Sequence, residues 1–308
     1  MKKIFQVKLW KKTKSLAKKE AIDGYIFILP WLLGLFIFTV YPLIASFMIS
    51  FTDWDIFNPP SLIGIKNYTT MFKESDFWQS IKVTMIYSTF AIPLGLMVSL
   101  ILAMLLNLKV KGSGFFRTLV YAPAVISGVA SSLLWMWIFN PDFGLINFVL
   151  SKLGIDGPLW LLSPNWALSA FVIMSLWTAG GSAVIYLAGL RNIPQQMYEV
   201  AEIDGANKWQ QFTKITLPFI TPITFFLLVM GVIGSFQIFT QSYVMTNGGP
   251  NRATLFYVLY LYNQAFRNYF MGYGCALGWT LFVIILILTL LIFKSSSVWV
   301  YYESERGK

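Results

Sequence analysis

Six long apolar segments constrain the fold of this chain more than any other feature. They cover residues 24–51, 83–106, 115–139, 166–190, 217–244 and 274–298. About 20 apolar residues, at a helical rise of about 1.5 Å each, cross the ~30 Å hydrocarbon core of a bilayer. With 57% hydrophobic and only 12% charged residues, the chain carries more apolar surface than a water-soluble fold can hide. The sequence therefore predicts an all-α integral membrane protein with six transmembrane helices.

The distribution of basic residues predicts the orientation of these helices. Of the 23 Lys and Arg residues, 17 lie before the first segment, in or beside the loops after the second and fourth segments (Arg117 included), or at the C-terminal end from Lys294 onward. The positive-inside rule makes that side cytoplasmic, so both termini are expected in the cytoplasm. We accordingly divide the chain into a basic cytoplasmic segment (1–23), a transmembrane domain (24–300) and a cytoplasmic tail (301–308).

The composition also argues against several classes of function. The net charge of +10 arises at membrane boundaries and not along a groove, so we expect no nucleic-acid partner. The chain has no His, a single Cys (Cys275) and no acidic residue well inside a predicted span. We therefore predict no catalytic residue and no metal site. It also lacks the phosphate-binding loop GxxxxGK[ST], so the energy for driven transport must come from another chain.

A polar loop at residues 191–218 separates the fourth and fifth segments. Asn192 and Pro194 predict the start of a helix there, because both residue types favour the first positions of helices. Met197, Val200 and Ala201 recur at helical spacing and form a narrow apolar face. A glycine ends helices in the left-handed conformation without a steric clash, as expected at Gly205. From composition alone, a helix pair that lies on the bilayer and contacts no protein is the alternative.

Two sets of residues resemble a known family. The first set resembles the EAA loop of permease subunits in ATP-binding-cassette importers and consists of Glu199, Val200, Ala201, Asp204, Gly205, Phe212, Ile215, Leu217 and Pro218. The family usually has Ala where this chain has Val200. The second set looks like the extracellular segment of carbohydrate-type importers related to the maltose permease and consists of Gly248, Gly249, Pro250 and Thr254. Further matches are GIKNY at 64–68, YAPAVIS at 121–127, FGLIN at 143–147 and YLAGLRNIP at 186–194.

The resemblance implies a multi-pass permease of a bacterial cell membrane that belongs to an ATP-driven importer of sugars, with an oligosaccharide favoured. It also implies four kinds of partner: a second, homologous permease, two copies of an ATPase that binds ATP and Mg²⁺, an extracellular sugar-binding protein, and the transported sugar. This chain itself is expected to hold no cofactor, and its EAA loop to transmit motion from the ATPase. Two alternatives stay open, an ion-coupled or facilitative sugar carrier and an amino-acid or peptide permease of the same superfamily.

In the family, the sugar lies between the spans that flank the EAA loop. Small or polar residues in the fifth segment fall within an arc of about 160° at 100° per residue, namely Gly231, Gly234, Ser235, Gln237, Ile238, Gln241 and Ser242. We predict a substrate pathway along this arc, in which Gln237 and Gln241 bind sugar hydroxyls and Phe236 or Tyr243 stacks on a sugar face. Trp177 and Gly181, which lie one turn apart in the predicted fourth helix, are further candidates. Close helix packing is the alternative explanation for such a stripe.

Overall fold

The computed structural model describes residues 2–108 and 111–301, with side chains at Leu16 and from Lys18 onward. Within these residues the chain forms fifteen α-helices, three short π-helical turns and one two-stranded antiparallel ladder. The helices are α1 (Lys2–Leu35), α2 (Tyr41–Ile49), α3 (Lys66–Met71), α4 (Ser75–Asn107), α5 (Ser113–Val125), α6 (Gly128–Ile138), α7 (Leu145–Lys152), α8 (Pro164–Trp177), α9 (Gly180–Asn192), α10 (Gln195–Ile203), α11 (Lys208–Gln211), α12 (Leu217–Phe236), α13 (Thr240–Met245), α14 (Tyr257–Tyr262) and α15 (Met271–Trp299). The strands are β1 (Thr52–Asp53) and β2 (Ser61–Leu62), and the π-helical turns are Phe36–Val40, Phe212–Thr216 and Asn263–Arg267.

Four helical segments of the described chain are long and apolar enough to cross a membrane. They are Lys18–Ile49, Ser75–Asn107, Lys208–Met245 and Met271–Trp299. Two helix pairs, α5 with α6 and α8 with α9, meet the same criterion only when each pair is counted as one bent span. The described residues thus contain four candidate spans, or six with the bent pairs. The predicted all-α membrane architecture is confirmed at this level.

The third apolar segment is not the continuous helix that its hydropathy predicts. α5 and α6 meet at an angle of 99°. Pro123 has no backbone N–H to continue the ladder, and α5 ends two residues after it. Ser127 then caps α6, since its side chain accepts a hydrogen bond from the Ala130 amide at 3.3 Å. The segment predicted at 115–139 is therefore two helices that can cross only as one bent span.

The fourth segment is also broken, with an angle of 45° between α8 and α9. The Ser99 hydroxyl of α4 donates a hydrogen bond to the Ala179 carbonyl at the break, at 2.9 Å. Such a partner is needed because an unpaired backbone group in the membrane interior is costly. The Gly180 backbone meanwhile lies so close to α5 that a Cβ there would come 1.8 Å from the Val120 carbonyl oxygen. Contacts with α4 and α5 thus hold the bend.

The fifth segment ends its main helix earlier than predicted. α12 stops at Phe236, where the Gln237 amide donates to the Gly234 carbonyl at 3.1 Å and tightens the last turn. Phe239 then takes φ −133° and ψ −61°, and a new helix begins at Thr240. The predicted arc, which assumed 100° per residue from Gly231 to Ser242, is wrong beyond Phe236 for this reason.

α4 is the central helix of the fold, with α8, α9 and α12 packed around it. One buried cluster, which includes Phe77 and Tyr257, lies at its N-terminal end against α14 and α15. Another, which includes Tyr186 and Ile220, joins its C-terminal end to α9 and α12. The first span is the least buried of the four long segments, since no residue of its most apolar window is buried, although its last helix, α2, packs against α15. Its helix α1 also runs without a break through the predicted boundary between residues 23 and 24.

Candidate coupling helix and translocation cavity

The EAA-like loop folds into a helical hairpin, α10 followed by α11, between α9 and α12. Its start differs from the prediction, because Asn192 is the last residue of α9 and Pro194 occupies the N-cap position of α10. Its end agrees with the prediction, because Gly205 has φ +78°. The Gly205 amide donates to the Glu202 carbonyl at 3.1 Å and the Ala206 amide to the Ala201 carbonyl at 2.8 Å. This pair of bonds is the Schellman ending of a helix, which favours glycine at the left-handed position.

Short-range polar contacts make the hairpin rigid. Asn207 and Gln210 form a capping box at the start of α11, with both hydrogen bonds at 2.8 Å. Lys208 forms an ion pair with Glu202, and the hydrogen bond from Lys208 is the main cause that lowers the pKa of this carboxyl, followed by its positive charge. Because the pKa is depressed, the ion pair is present at neutral pH and is lost only on acidification.

One face of the hairpin is apolar and open, and the other is anchored to the membrane domain. Val200 is 57% exposed, Ile203 85% and Trp209 70%, and Met197 is also exposed. On the other face, the Tyr198 hydroxyl lies 2.9 Å from the Thr216 hydroxyl at the start of the next span. Of the predicted apolar face, Met197 and Val200 thus lie open while Ala201 is half-buried. Several large apolar side chains exposed on one short segment are compatible with a protein-binding surface.

A cavity of about 300 Å³ lies between α4, α8, α9 and α12. Its polar lining consists of hydroxyl groups and one amide, contributed by Tyr87, Ser99, Ser175, Thr178, Ser182, Ser235 and Gln241. Its apolar lining includes the small residues Ala91, Gly95, Gly231 and Gly234. No residue that lines it is Asp, Glu, Lys or Arg. Hydrogen-bonding groups within apolar walls are typical of a site for an uncharged polar ligand.

Comparison with known proteins identifies the family. Residues 91–303 match the family described as the binding-protein-dependent transport system inner membrane component. The chain belongs to this family. It is therefore a multi-pass membrane component of a transport system and not a catalytic enzyme, and the resemblance to ATP-binding-cassette importer permeases is confirmed.

Individual relatives of this permease agree with that membership. It is 45% identical over 300 residues to a probable ABC transporter permease protein, YesP, of Bacillus subtilis, with 96% of each chain covered. It is 34% identical to the trehalose/maltose transport system permease protein MalF of Thermococcus litoralis, over 92% of this chain and 96% of that one. A crystal structure of a bacterial alginate ABC transporter, in complex with an alginate pentasaccharide-bound periplasmic protein, matches with TM-score 0.79 and 27% identity, over 90% and 95% of the two chains.

The cavity of the permease brings together some of the predicted pathway residues and leaves others outside. Ser235 and Gln241 line it, although they come from two different helices. Gln237 is exposed and does not line the cavity, and Phe236 is 4% exposed within a hydrophobic cluster. Tyr243 stacks on Phe239 with 5.3 Å between ring centroids, and the Arg267 guanidinium lies 5.1 Å from the Tyr243 ring.

The two candidates of the fourth segment flank the cavity without lining it. The break between α8 and α9 separates Trp177 from Gly181, so the prediction that they lie one turn apart on one helix is wrong. Trp177 packs edge-to-face on Trp135, with 5.9 Å between the ring centroids. Gly181 faces Ala124 of α5. Their roles in transport stay predictions.

Sequence reasoning missed the wall that α4 contributes. Tyr87, Ala91, Gly95 and Ser99 line the cavity and follow each other at intervals of four residues. Positions four apart lie on one face of a helix, so this stripe of small and polar residues was visible in the sequence. Ser175, Thr178 and Ser182 carried no comparable signal, because a bend interrupts their helix.

Proposed function

We propose that this permease forms half of the translocation pathway of an ATP-driven oligosaccharide importer, and that the α10–α11 hairpin couples it to a separate ATPase. The observation that carries the proposal is that the hairpin is joined directly to two helices that line the cavity. The single stretch from α9 to α12 contributes Ser182, Leu227 and Gly231 to the cavity and presents the exposed hairpin between them. A displacement of the hairpin must therefore move two walls of the cavity relative to α4.

The hairpin suits this role because it moves as one body. The Glu202–Lys208 ion pair and the capping box hold α10 and α11 together, and Tyr198 joins them to α12 through Thr216. Glu199, Val200, Ala201, Asp204 and Gly205 then form the part that the ATPase grips. ATP and Mg²⁺ bind to that ATPase, which supplies the energy of hydrolysis, and this chain holds no cofactor.

We further propose six membrane crossings with both termini in the cytoplasm. In this arrangement α5–α6 and α8–α9 each cross as one bent span, and the positive-inside rule sets the direction. A second, homologous permease completes the pathway and covers the first span, whose apolar window has no buried residue within this chain. Two ATPase copies and an extracellular sugar-binding protein complete the importer.

The lining of the cavity supports a neutral, hydroxyl-rich substrate. Hydroxyl groups and an amide can exchange hydrogen bonds with sugar hydroxyls, and the absence of charged lining residues avoids the cost of desolvating a charge. The trehalose/maltose relative points to the same class of ligand, whereas the alginate transported by the structural relative is an acidic polysaccharide. A saccharide longer than the cavity extends into the half contributed by the partner permease.

Replacement of Gly205 by Val tests the coupling role. At φ +78° a β-branched side chain is strained, so the end of α10 must rearrange while the membrane domain stays intact. We expect normal membrane insertion of the assembled importer but loss of sugar-stimulated ATP hydrolysis. Gly154→Val is the matched control, because Gly154 has φ +73°, open space around it and a position far along the chain from the hairpin.

Three results would contradict the proposal. Unchanged sugar-stimulated ATP hydrolysis in Gly205→Val, or equal loss in Gly154→Val, would remove the coupling role from the hairpin. Uphill sugar uptake by this chain alone, purified and reconstituted without companions, would instead indicate an ion-coupled carrier. Identification of the proteins that copurify with the tagged chain in mild detergent tests the predicted partners directly.

A further inference from the structure

A groove of about 650 Å³ runs between α4 and α8 and shares no residue with the translocation cavity. The helices turn opposite faces to the two spaces: along α4, Tyr87 and Ala91 line the cavity, whereas Ile86 and Phe90 line the groove. Phe90 is 57% exposed and Ile86 38%, so the groove is open at the surface of the chain. Because α4 and α8 both belong to candidate membrane spans, this opening lies at the depth of the bilayer.

Polar residues line one end of the groove and apolar residues line the rest. The polar end is formed by the first three turns of α4, the first turn of α8 and the loop before α14, and its side chains are those of Gln79, Lys82, Asn165 and Asn251. Farther along both helices the lining is apolar apart from Ser169, and its largest side chains are those of Ile86, Phe90, Leu94, Leu168 and Ile173. The groove therefore changes from polar to apolar along its length.

This order agrees with the order of headgroup and acyl chain in the outer leaflet of a membrane. In the proposed topology α4 and α8 both begin on the extracellular side, and the inference rests on that topology. From Lys82 to Leu94 an α-helix rises about 18 Å. One leaflet contributes about 15 Å to the hydrocarbon core. The apolar part of the groove is thus about as long as one leaflet is thick, with its polar end at the level of the headgroups.

The charge of the polar end favours an anionic headgroup. Among the described residues that line the groove, Lys82 is charged and none is Asp or Glu. Lys82 forms no ion pair in the part of the chain that the structure describes. The acid nearest to it in the sequence, Asp76, is already paired with Arg252. A zwitterionic headgroup would bring an ammonium group for which this lining offers no carboxylate, whereas a net negative headgroup leaves no charge unmatched.

The polar end is held in place by the chain itself. The Gln79 side-chain amide donates a hydrogen bond to the Arg252 carbonyl at 3.2 Å, and the Arg252 guanidinium pairs with Asp76. Both contacts hold the loop that carries Asn251 against the start of α4. The amide groups of the lining can donate hydrogen bonds to phosphate oxygens.

The width of the groove distinguishes between two apolar occupants. A volume of 650 Å³ spread over about 18 Å gives a mean cross-section of about 36 Å². An α-helix with its side chains is about 10–12 Å across and needs about 80 Å² or more. The groove therefore suits an extended hydrocarbon chain better than a transmembrane helix of a partner permease.

We propose that this groove binds one anionic phospholipid of the outer leaflet. Its phosphate pairs with Lys82 and accepts hydrogen bonds from the neighbouring amides, and an acyl chain packs along Ile86, Phe90 and Leu94. A sugar is a poorer ligand, because the apolar walls would leave most of its hydroxyls without partners.

Native mass spectrometry of the assembled importer in detergent tests the headgroup, with palmitoyl-oleoyl-phosphatidylglycerol as the probe and the phosphatidylcholine of the same chains as its zwitterionic counterpart. We expect tighter retention of phosphatidylglycerol. Lys82→Gln should weaken that retention about tenfold or more, the usual range for a hydrogen bond between charged groups. Lys73→Gln is the matched control, since it removes an exposed lysine near the start of the same helix that does not line the groove.

Photo-crosslinking tests the position of the acyl chain. Benzoylphenylalanine replaces Phe90, which is exposed enough to accept the larger ring, and the importer is irradiated in vesicles that contain phosphatidylglycerol. We expect the crosslinked product to carry the mass of the lipid. A crosslink to the partner permease would show that a helix of the partner fills the groove and would overturn the inference.

Three results of the titration would also overturn it. They are equal retention of the two lipids, unchanged retention of phosphatidylglycerol in Lys82→Gln, and an equal loss in Lys73→Gln. Displacement of the lipid by glycerol phosphate at matched concentration would indicate a site for soluble phosphates instead, because that compound carries the charge without the acyl chains.

Discussion

Two adjacent glycines at the bend between α8 and α9 should respond very differently to the same small change. A Cβ on Gly180 would lie 1.8 Å from the Val120 carbonyl oxygen and 2.7 Å from its carbonyl carbon. A Cβ on Gly181 would meet only the Ala124 methyl group, at 3.4 Å. The first contact is with the backbone of α5, which cannot rotate away, and the second is an ordinary van der Waals contact.

The size of the effect follows from these distances. Alanine at Gly180 must separate α9 from α5 by about 1.2 Å before the Cβ contact reaches even 3.0 Å. Overpacking of a dense interior costs typically about 1–3 kcal/mol, and a clash with the backbone belongs at the upper end of this range. The displaced helix also carries Ser182, which lines the cavity, and the Ala179 carbonyl, which accepts from Ser99. Both stability and uptake should therefore fall.

Thermal unfolding of the purified importer, followed by size-exclusion chromatography with fluorescence detection, measures the first effect. We expect Gly180→Ala to lower the apparent melting temperature by roughly 5 °C or more, from the usual ratio of free energy to melting temperature in domains of this size. Gly181→Ala should stay within about 1 °C of the unmodified protein by the same ratio. Equal melting temperatures and equal sugar uptake for the two variants would refute the close approach of α5 and α9.

Two further predictions concern polar groups beside the cavity. Ser99→Ala leaves the Ala179 carbonyl without its partner and should lower the free energy of unfolding by about 1–3 kcal/mol. Thr89→Ala, on an exposed face of the same helix, should lower it by under about 0.5 kcal/mol. In transport assays at limiting sugar, Gln241→Ala should lower sugar uptake several-fold with assembly unchanged. Gln237→Ala should lower uptake less, since Gln237 does not line the cavity. If Gln237→Ala instead lowered uptake more than Gln241→Ala, the substrate would bind at the helix break and not in the cavity.

Hydropathy alone predicted the unbroken spans, because the helical structure of each one depends on residues within that segment. A run of apolar residues long enough to cross the bilayer must satisfy its backbone groups internally, and a helix does so within the segment. The end of α10 was predictable for a similar reason, since the left-handed position at Gly205 depends on its own steric freedom. Features with local causes can be read from one stretch of sequence.

The break between α8 and α9 has distant causes, which explains why the sequence did not predict it. The hydroxyl that pairs with the Ala179 carbonyl belongs to Ser99, 80 residues earlier. The carbonyl that excludes a side chain at Gly180 belongs to Val120 on a different helix. Neither serine nor glycine is unusual in a membrane helix, so each becomes informative only when its neighbour in space is known.

The motifs that indicated the family largely serve the architecture of the loops. Asn67 of GIKNY binds the Ser50 and Thr52 carbonyls, and Asn147 of FGLIN accepts from the Trp160 indole at 2.7 Å. Thr254, beside the Gly-Gly-Pro segment, donates to the Gly249 carbonyl at 2.6 Å.

All three of these motif side chains are at least nine-tenths buried. A buried polar residue that satisfies backbone groups cannot change without loss of stability, whatever the transported ligand. The motifs therefore report a shared fold, while residues outside them, such as Tyr87, Ser175 and Gln241 in the cavity, are free to vary with the substrate. Differences in specificity between permeases of this fold should accordingly be sought along the cavity stripe of α4 and at the two helix breaks that face it.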